Sequence, residues 1–211
     1  TKAENCTAIG AGGNDRGVIT INGGNVTAVA TTTGTAIGGG IGFNSAGGYG
    51  IITIKGGNVY AYNHQNRWSI PSSAIGGAGS SAAAGTQGDV YINGGYVYAY
   101  SALGTAIGGG SSKTNVGGDA YVTITGGQII AKSGSGAGIG GGSAYTVGDE
   151  KDTNYNGGTA NVKISGNPII RTGSIGGGNT SAKNGKIGSA SVNISGGDIQ
   201  AQFVMAAGAK E

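Results

Sequence analysis

The stretch Gly50-Ile-Ile-Thr-Ile-Lys-Gly-Gly-Asn-Val-Tyr-Ala-Tyr62 decides the reading of this chain, because near-copies of it stand at 17–29, 88–100, 120–132, 160–172 and 190–202. Each copy follows the frame apolar-x-apolar-x-Gly-Gly-x-apolar-x-Ala. Period-two alternation on both sides of the glycines predicts two short strands, and Gly-Gly supplies a corner where φ can turn positive. The fifth copy departs from the frame with Asn167 and Arg171. A second motif, Ala-Ile-Gly-Gly-Gly, recurs between the copies with its large residue at Ile9, Ile37, Ile75, Ile107, Ile139 and Ile175, and in degraded form at Met205. The first corner glycines, Gly23, Gly56, Gly94, Gly126, Gly166 and Gly196, are 33, 38, 32, 40 and 30 residues apart, so the repeat is elastic in length and fixed in motif.

A period of this size fits helical repeats only if long segments keep 3.6-residue periodicity with few glycines. Here 50 of 211 residues are Gly and two are Pro, and each Gly inside a helix costs on the order of 1 kcal/mol relative to Ala. Collagen would need Gly at every third position. A flexible Gly-rich linker has no reason to hold Val and Ile in fixed register. The expected fold is all-β, a right-handed parallel β-helix of about six coils with three short strands per coil, the whole chain 1–211 being one domain and a segment of a longer protein.

Inward columns stacked about 4.8 Å apart are then Ile19, Ile52, Val90, Val122, Val162, Val192 and Ile21, Ile54, Ile92, Ile124, Ile164, Ile194. A third is Val26, Val59, Val97, Ile129, Ile169, Ile199. β-Branched residues suit such a pleated, buried surface.

Composition excludes several classes. Twelve Lys and Arg against nine Asp and Glu are spread along the chain, with a net charge of +3. No basic cluster supports a nucleic-acid partner. No apolar run approaches the roughly 18 residues of a transmembrane span, and no signal-peptide pattern opens the chain. The single cysteine, Cys6, permits no internal disulfide and reads as a structural thiol.

Chemistry gathers where the repeats vary. On the second strand, Tyr60, Tyr62, Tyr98 and Tyr100 fall on outward positions of adjacent copies, with Lys132 in the next copy beside Tyr100. The longest stretch between this strand and the next Ala-Ile-Gly-Gly-Gly motif starts directly after Tyr62 and holds the only His and the only Trp, as His64 and Trp68, together with Arg67. Tyrosine rings on a flat sheet suit sugar rings, each giving an apolar face with a polar tip. Cross-strand stacking that merely stabilises the sheet is the competing reading. Arg67 and Lys132 suit a uronate or sulfate group. Asp149, Glu150 and Asp152 cluster in a second loop and offer oxygens for Ca²⁺, while a solvated acidic loop around Lys151 is the simpler reading. No cofactor is otherwise evident. Outward threonines such as Thr20, Thr53 and Thr123 are interrupted by Tyr91 and Lys163, which disfavours an ice-ordering array.

With Val122-Thr-Ile-Thr-Gly-Gly-Gln-Ile-Ile-Ala131 and Thr105-Ala-Ile-Gly-Gly-Gly110 in view, the whole chain resembles the glycine-rich right-handed parallel β-helix domains of secreted and cell-surface proteins of Gram-positive bacteria. That group includes pectate-lyase-like carbohydrate-binding relatives. The resemblance implies an extracellular module, secreted or attached to the cell surface, whose partner is a polysaccharide or a glycoprotein glycan and which is continuous with further domains. Non-catalytic glycan binding or adhesion is the expected function. A polysaccharide lyase or hydrolase is the alternative, and a ligand-free stalk the third. No catalytic or metal ligand of the group maps onto a numbered position here.

Overall fold

The computed structural model describes residues 1–3, 6–65, 70–145 and 154–205. All its regular structure is strand, with no helix among the described residues. Three kinds of strand recur. Those before the corner are Gly17–Ile21, Gly50–Ile54, Gly88–Ile92, Ala120–Ile124, Ala160–Ile164 and Ala190–Ile194. Those after it include Asn25–Ala30, Asn58–Asn63, Tyr96–Ser101 and Gln128–Ser133, and the Ile-Gly pairs such as Ile75–Gly76 and Ile107–Gly108 form two-residue strands. Burial alternates as the sequence pattern demands: within Gly50–Ile54, residues 50, 52 and 54 are buried and 51 and 53 half-exposed.

Every strand pairs in parallel with its counterpart in the neighbouring repeat. The pre-corner strands make a six-stranded sheet, and the other two kinds together make a twelve-stranded one. Two in-register columns follow the expected order throughout, from Ile19↔Ile52 and Ile21↔Ile54 to Val162↔Val192 and Ile164↔Ile194. They bury Ile52, Ile54, Ile92 and Ile124 completely in one continuous core with Val59, Val97, Ile107 and Ile139.

Three expectations are corrected. In the fifth copy Ile129 pairs with Ile170, and Ile130 with Arg171. Ile170 is therefore the inward residue, fully buried, while Ile169 is 41% exposed. The corner Gly166-Asn167-Pro168 is one residue longer than Gly126-Gly127, with positive φ at Gly166 (71°) rather than at the second corner residue. A one-residue slip turns every following side chain to the other face.

In the last two copies only two residues lie between Thr172, the partner of Ala131, and Ile175, and two between Ala201 and Val204, against seven between Ala131 and Ile139. Two residues are too few for a loop, so the post-corner strand and the Ile-Gly motif merge into Ile169–Gly176 and Asp198–Met205 instead of forming two separate strands. Because Ile169–Gly176 pairs with both Gln128–Ser133 and Ile139–Gly140, it joins two ladders into one sheet. Finally, Ile175 pairs with Val204 and Gly176 with Met205, so Val204 holds the place assigned to Met205.

Glycine fixes how closely the repeats approach. Backbone hydrogen bonds run as a zipper from Gly118 N–H to Gly110 O (2.7 Å), Gly142 to Gly118 (2.8 Å), Gly158 to Gly142 (2.8 Å), Gly178 to Gly158 (2.9 Å) and Gly188 to Gly178 (2.9 Å). A Cβ on Gly142 would lie 1.9 Å from Gly110 O, whereas one on Gly23 at the exposed first corner would meet nothing within 4 Å. Gly142→Ala is therefore expected to cost more than about 4 kcal/mol or to prevent folding. Gly23→Ala should change stability by no more than about 1 kcal/mol. Chemical denaturation of the two variants side by side measures the difference.

Candidate functional site

Tyr60, Tyr62 and His64 occupy alternate outward positions of one chain segment, and Tyr96, Tyr98 and Tyr100 occupy those of the next. The strands place Tyr60 opposite Tyr98 and Tyr62 opposite Tyr100. The rings pack diagonally rather than across that register. Tyr60 meets Tyr96 (5.6 Å between centroids), Tyr62 meets Tyr98 (5.5 Å), and His64 meets Tyr100 (5.5 Å). His64 also stacks on Tyr62 at 5.6 Å with planes 11° apart. Lys132 Nζ lies 5.9 Å from the Tyr98 ring centroid, within cation–π range. The tyrosines are half-buried, while His64 and Lys132 are exposed. Burial first, and then the neighbouring phenols Tyr98, Tyr60 and Tyr96, push the Tyr62 hydroxyl above its ordinary range. It stays a neutral hydrogen-bonding tip at physiological pH.

The insertion is held at its base by residues that point inward between the rings. Asn63 is fully buried, and its amide nitrogen donates to the carbonyls of Gly34 (3.0 Å), Ser72 (3.1 Å) and Ser73 (3.1 Å). Gln65 donates to Gly34 O (3.1 Å) and accepts from Ser72 N–H (2.9 Å). Between them the His64 N–H donates to Ala30 O (2.9 Å), so strand-like pairing continues past Tyr62 and carries His64 onto the tyrosine face. Sequence reasoning missed this clamp. Its one signal is a polar residue in the inward phase, where Ala30 and Ser101 are its partners.

The same face continues into an open groove of about 640 Å³ lined by Tyr100, Lys132, Arg171, Thr172, Gln200 and Gln202 among others. Arg171 reaches it because of the slip at Pro168, which turns the residue outward. Its guanidinium donates to Asp198 Oδ2 at 2.7 Å and to the Ile170 and Asp198 carbonyls at 3.1 Å. That hydrogen bond holds the Asp198 carboxyl below its usual range. Of the expected ligand-binding residues, Tyr60, Tyr62, Tyr98, Tyr100, His64 and Lys132 thus lie together. Arg67 and Trp68 lie outside the described residues, as do Asp149, Glu150 and Asp152 of the expected Ca²⁺ loop. Among the described residues no group of three or more His, Cys, Asp or Glu is placed to hold a metal ion.

A second polar cluster stands on the six-stranded sheet. The Tyr49 hydroxyl donates to Asp89 Oδ2, Gln87 Nε2 donates to Asp89 Oδ1 (2.8 Å) and to the Tyr49 oxygen (3.0 Å), and the Arg16 guanidinium lies 5.5 Å from the Tyr49 ring centroid.

Comparison with protein-family models, with curated proteins and with solved structures returned no match. Among the described residues no helix is long and apolar enough to cross a membrane.

Two outcomes are expected. Asn63→Ala removes the amide that Gly34, Ser72 and Ser73 carbonyls share, leaving Gly34 O with Gln65 and Ser72 O with the Ser101 hydroxyl, and should cost about 1–3 kcal/mol, measured by denaturant unfolding. Burial, followed by the Asp89 hydrogen bond and charge, raises Tyr49 from the ordinary 10.0 to about 12. A raised phenol binds its proton more tightly in the folded state, so its stabilising contribution is complete below pH 10 and is lost as pH rises through about 12. An ultraviolet tyrosinate titration should show a late-ionising group that moves down in Asp89→Asn.

Proposed function

We propose that this chain is an extracellular, non-catalytic glycan-binding module built as a right-handed parallel β-helix of about six coils. The central coils carry three short strands each. Pairing of every strand with its counterpart one repeat away supports the coiled reading, and right-handed crossover is the general rule for parallel strands. Secretion or attachment to a bacterial cell surface is part of the same reading and rests on the sequence resemblance.

One observation carries the function. Five tyrosines and His64 form two sets of ring contacts over a sheet face, the pair Tyr60–Tyr96 and the chain Tyr98–Tyr62–His64–Tyr100, and the second runs directly into a groove bearing Lys132 and Arg171. Rings alone would stabilise a sheet by roughly 0.2–1 kcal/mol per pair. A groove continuing from them, lined by amides and cations, adds hydrogen-bond donors suited to sugar hydroxyls and to carboxylate or sulfate groups. Arg67 and Trp68 would complete the rim, and the Asp149, Glu150 and Asp152 loop is proposed as a Ca²⁺ site.

A glycan-array screen with plant pectins, mucin glycans and matrix polysaccharides tests the reading. Binding is expected for the parent chain and should fall about five- to thirtyfold in Tyr60→Ala/Tyr98→Ala, as loss of stacking worth about 1–2 kcal/mol implies. Undiminished binding by that variant removes the tyrosine platform. No binding by the parent leaves the stalk reading.

A further inference from the structure

The six-stranded sheet carries a trough between two outward columns. One column is Arg16, Tyr49, Gln87, Asp119, Thr159 and Ser189, joined repeat to repeat by the backbone bonds that lead into the pre-corner strands. The other runs from Ile51 through Asp89, Tyr121 and Asn161 to Ser191. Between them the small residues Ala120, Ala160 and Ala190 form the floor in register.

In the earlier repeats the chain fills this trough itself. There a hydroxyl from Tyr49 and an amide from Gln87 both donate to the Asp89 carboxylate. From Asp119 onward the trough is open. A pocket of about 210 Å³ is lined by Asp119, Tyr121, Thr159, Asn161, Ser189 and Ser191 over the alanine floor. The Asp119 Oδ1 accepts from the Thr159 N–H at 2.7 Å, which fixes the carboxylate. Tyr121 is 47% exposed, and Tyr91, one repeat back in the adjoining outward column, is 39% exposed.

The geometry points to a second ligand site here, for one neutral pyranose unit of a glycan. The volume suits a single sugar ring. The Tyr121 ring offers a face for stacking, and the anchored carboxylate turns its second oxygen to a ligand hydroxyl, as Asp89 takes that of Tyr49. Asn161, Thr159 and Ser191 supply donors and acceptors for the remaining hydroxyls. The lining carries one carboxylate and no Lys or Arg; the nearest cation along the Asn161 strand, Lys163, stands one outward position beyond it. An anionic sugar would therefore meet a like charge. The site lies on a different sheet from the tyrosine platform and does not depend on it.

Two-dimensional NMR titration of the full chain tests this with methyl β-D-glucopyranoside, methyl β-D-galactopyranoside, methyl α-D-mannopyranoside and sodium glucuronate as probes. At least one neutral glycoside should shift the Tyr121 ring and Asn161 side-chain amide signals with a dissociation constant on the order of 1 mM to 10 mM. Glucuronate should bind at least about tenfold more weakly, since a like charge replaces a hydrogen bond. Tyr121→Ala should abolish the shifts. Asp119→Asn, which keeps the acceptor for Thr159 N–H, should weaken binding about tenfold while leaving the melting temperature unchanged. The Tyr60→Ala/Tyr98→Ala variant should retain the shifts in full, which separates this site from the platform. The proposal is overturned if no neutral glycoside shifts Tyr121 or Asn161, if the shifts persist in Tyr121→Ala, or if glucuronate binds as tightly as the neutral probes.

Discussion

The backbone zipper of glycines at positions 110, 118, 142, 158, 178 and 188 is the constraint on which the other contacts depend. Each N–H donates at 2.7–2.9 Å to a carbonyl one step along the zipper, and no β-carbon fits between the chains. Buried peptide groups need partners, and here two tracts of successive repeats satisfy each other without a side chain intervening. That contact sets where the Gly-Gly-Gly segment lies against the start of each pre-corner strand. The register of Ile, Val and Ala columns follows from it. A β-branched core then packs between sheets whose spacing has been fixed by the backbone.

Such a scaffold tolerates variation where no glycine contact is made. The stretch after Tyr62 is long, yet Asn63 and Gln65 tie it to the carbonyls of Gly34 and Ser72, so an insertion is absorbed without disturbing the columns beneath. The cost is one buried oxygen, Asn63 Oδ1, without a protein partner. The benefit is positional: the clamp residues face inward, and the residue between them therefore faces the tyrosines.

The central columns were legible because strict alternation plus an invariant Gly-Gly corner admits one register. Legibility failed where the corner itself changed. Asn167 and Pro168 retain a corner while adding a residue, and the apolar pair Ile169-Ile170 offers either phase to the core, so the pattern alone could not choose between them. The consequence reached the site: Arg171 stands where the other copies carry the Ala of the frame, and the slip moves it one phase over so that it faces the groove. At the end of the chain Val204-Met205 posed the same ambiguity between two adjacent apolar residues. The tyrosine face was legible as columns but not as contacts. Asn63, Gln65 and the Tyr49–Asp89–Gln87 cluster left no motif, because each depends on which loops the repeats bring together.

The diagonal packing of the rings goes with a face that is half-buried rather than closed over. Tyrosines directly opposite each other, such as Tyr62 and Tyr100, do not make the ring contacts; the contacts run to a neighbour two positions away, and each tyrosine stays half-buried. Their common direction also makes the surface polar in the geometric sense, beginning at Tyr96 and Tyr60 and ending at His64, Tyr100 and Lys132. Beyond Lys132 the outward residues become Arg171, Gln200 and Gln202, which are hydrogen-bonding rather than stacking groups. A chain molecule lying along the stacking axis would pass from rings to donors within a few repeats of about 4.8 Å each. For the glycan proposed as ligand, the order of side chains along the face would give stacking at one end of the bound chain and hydrogen bonding at the other.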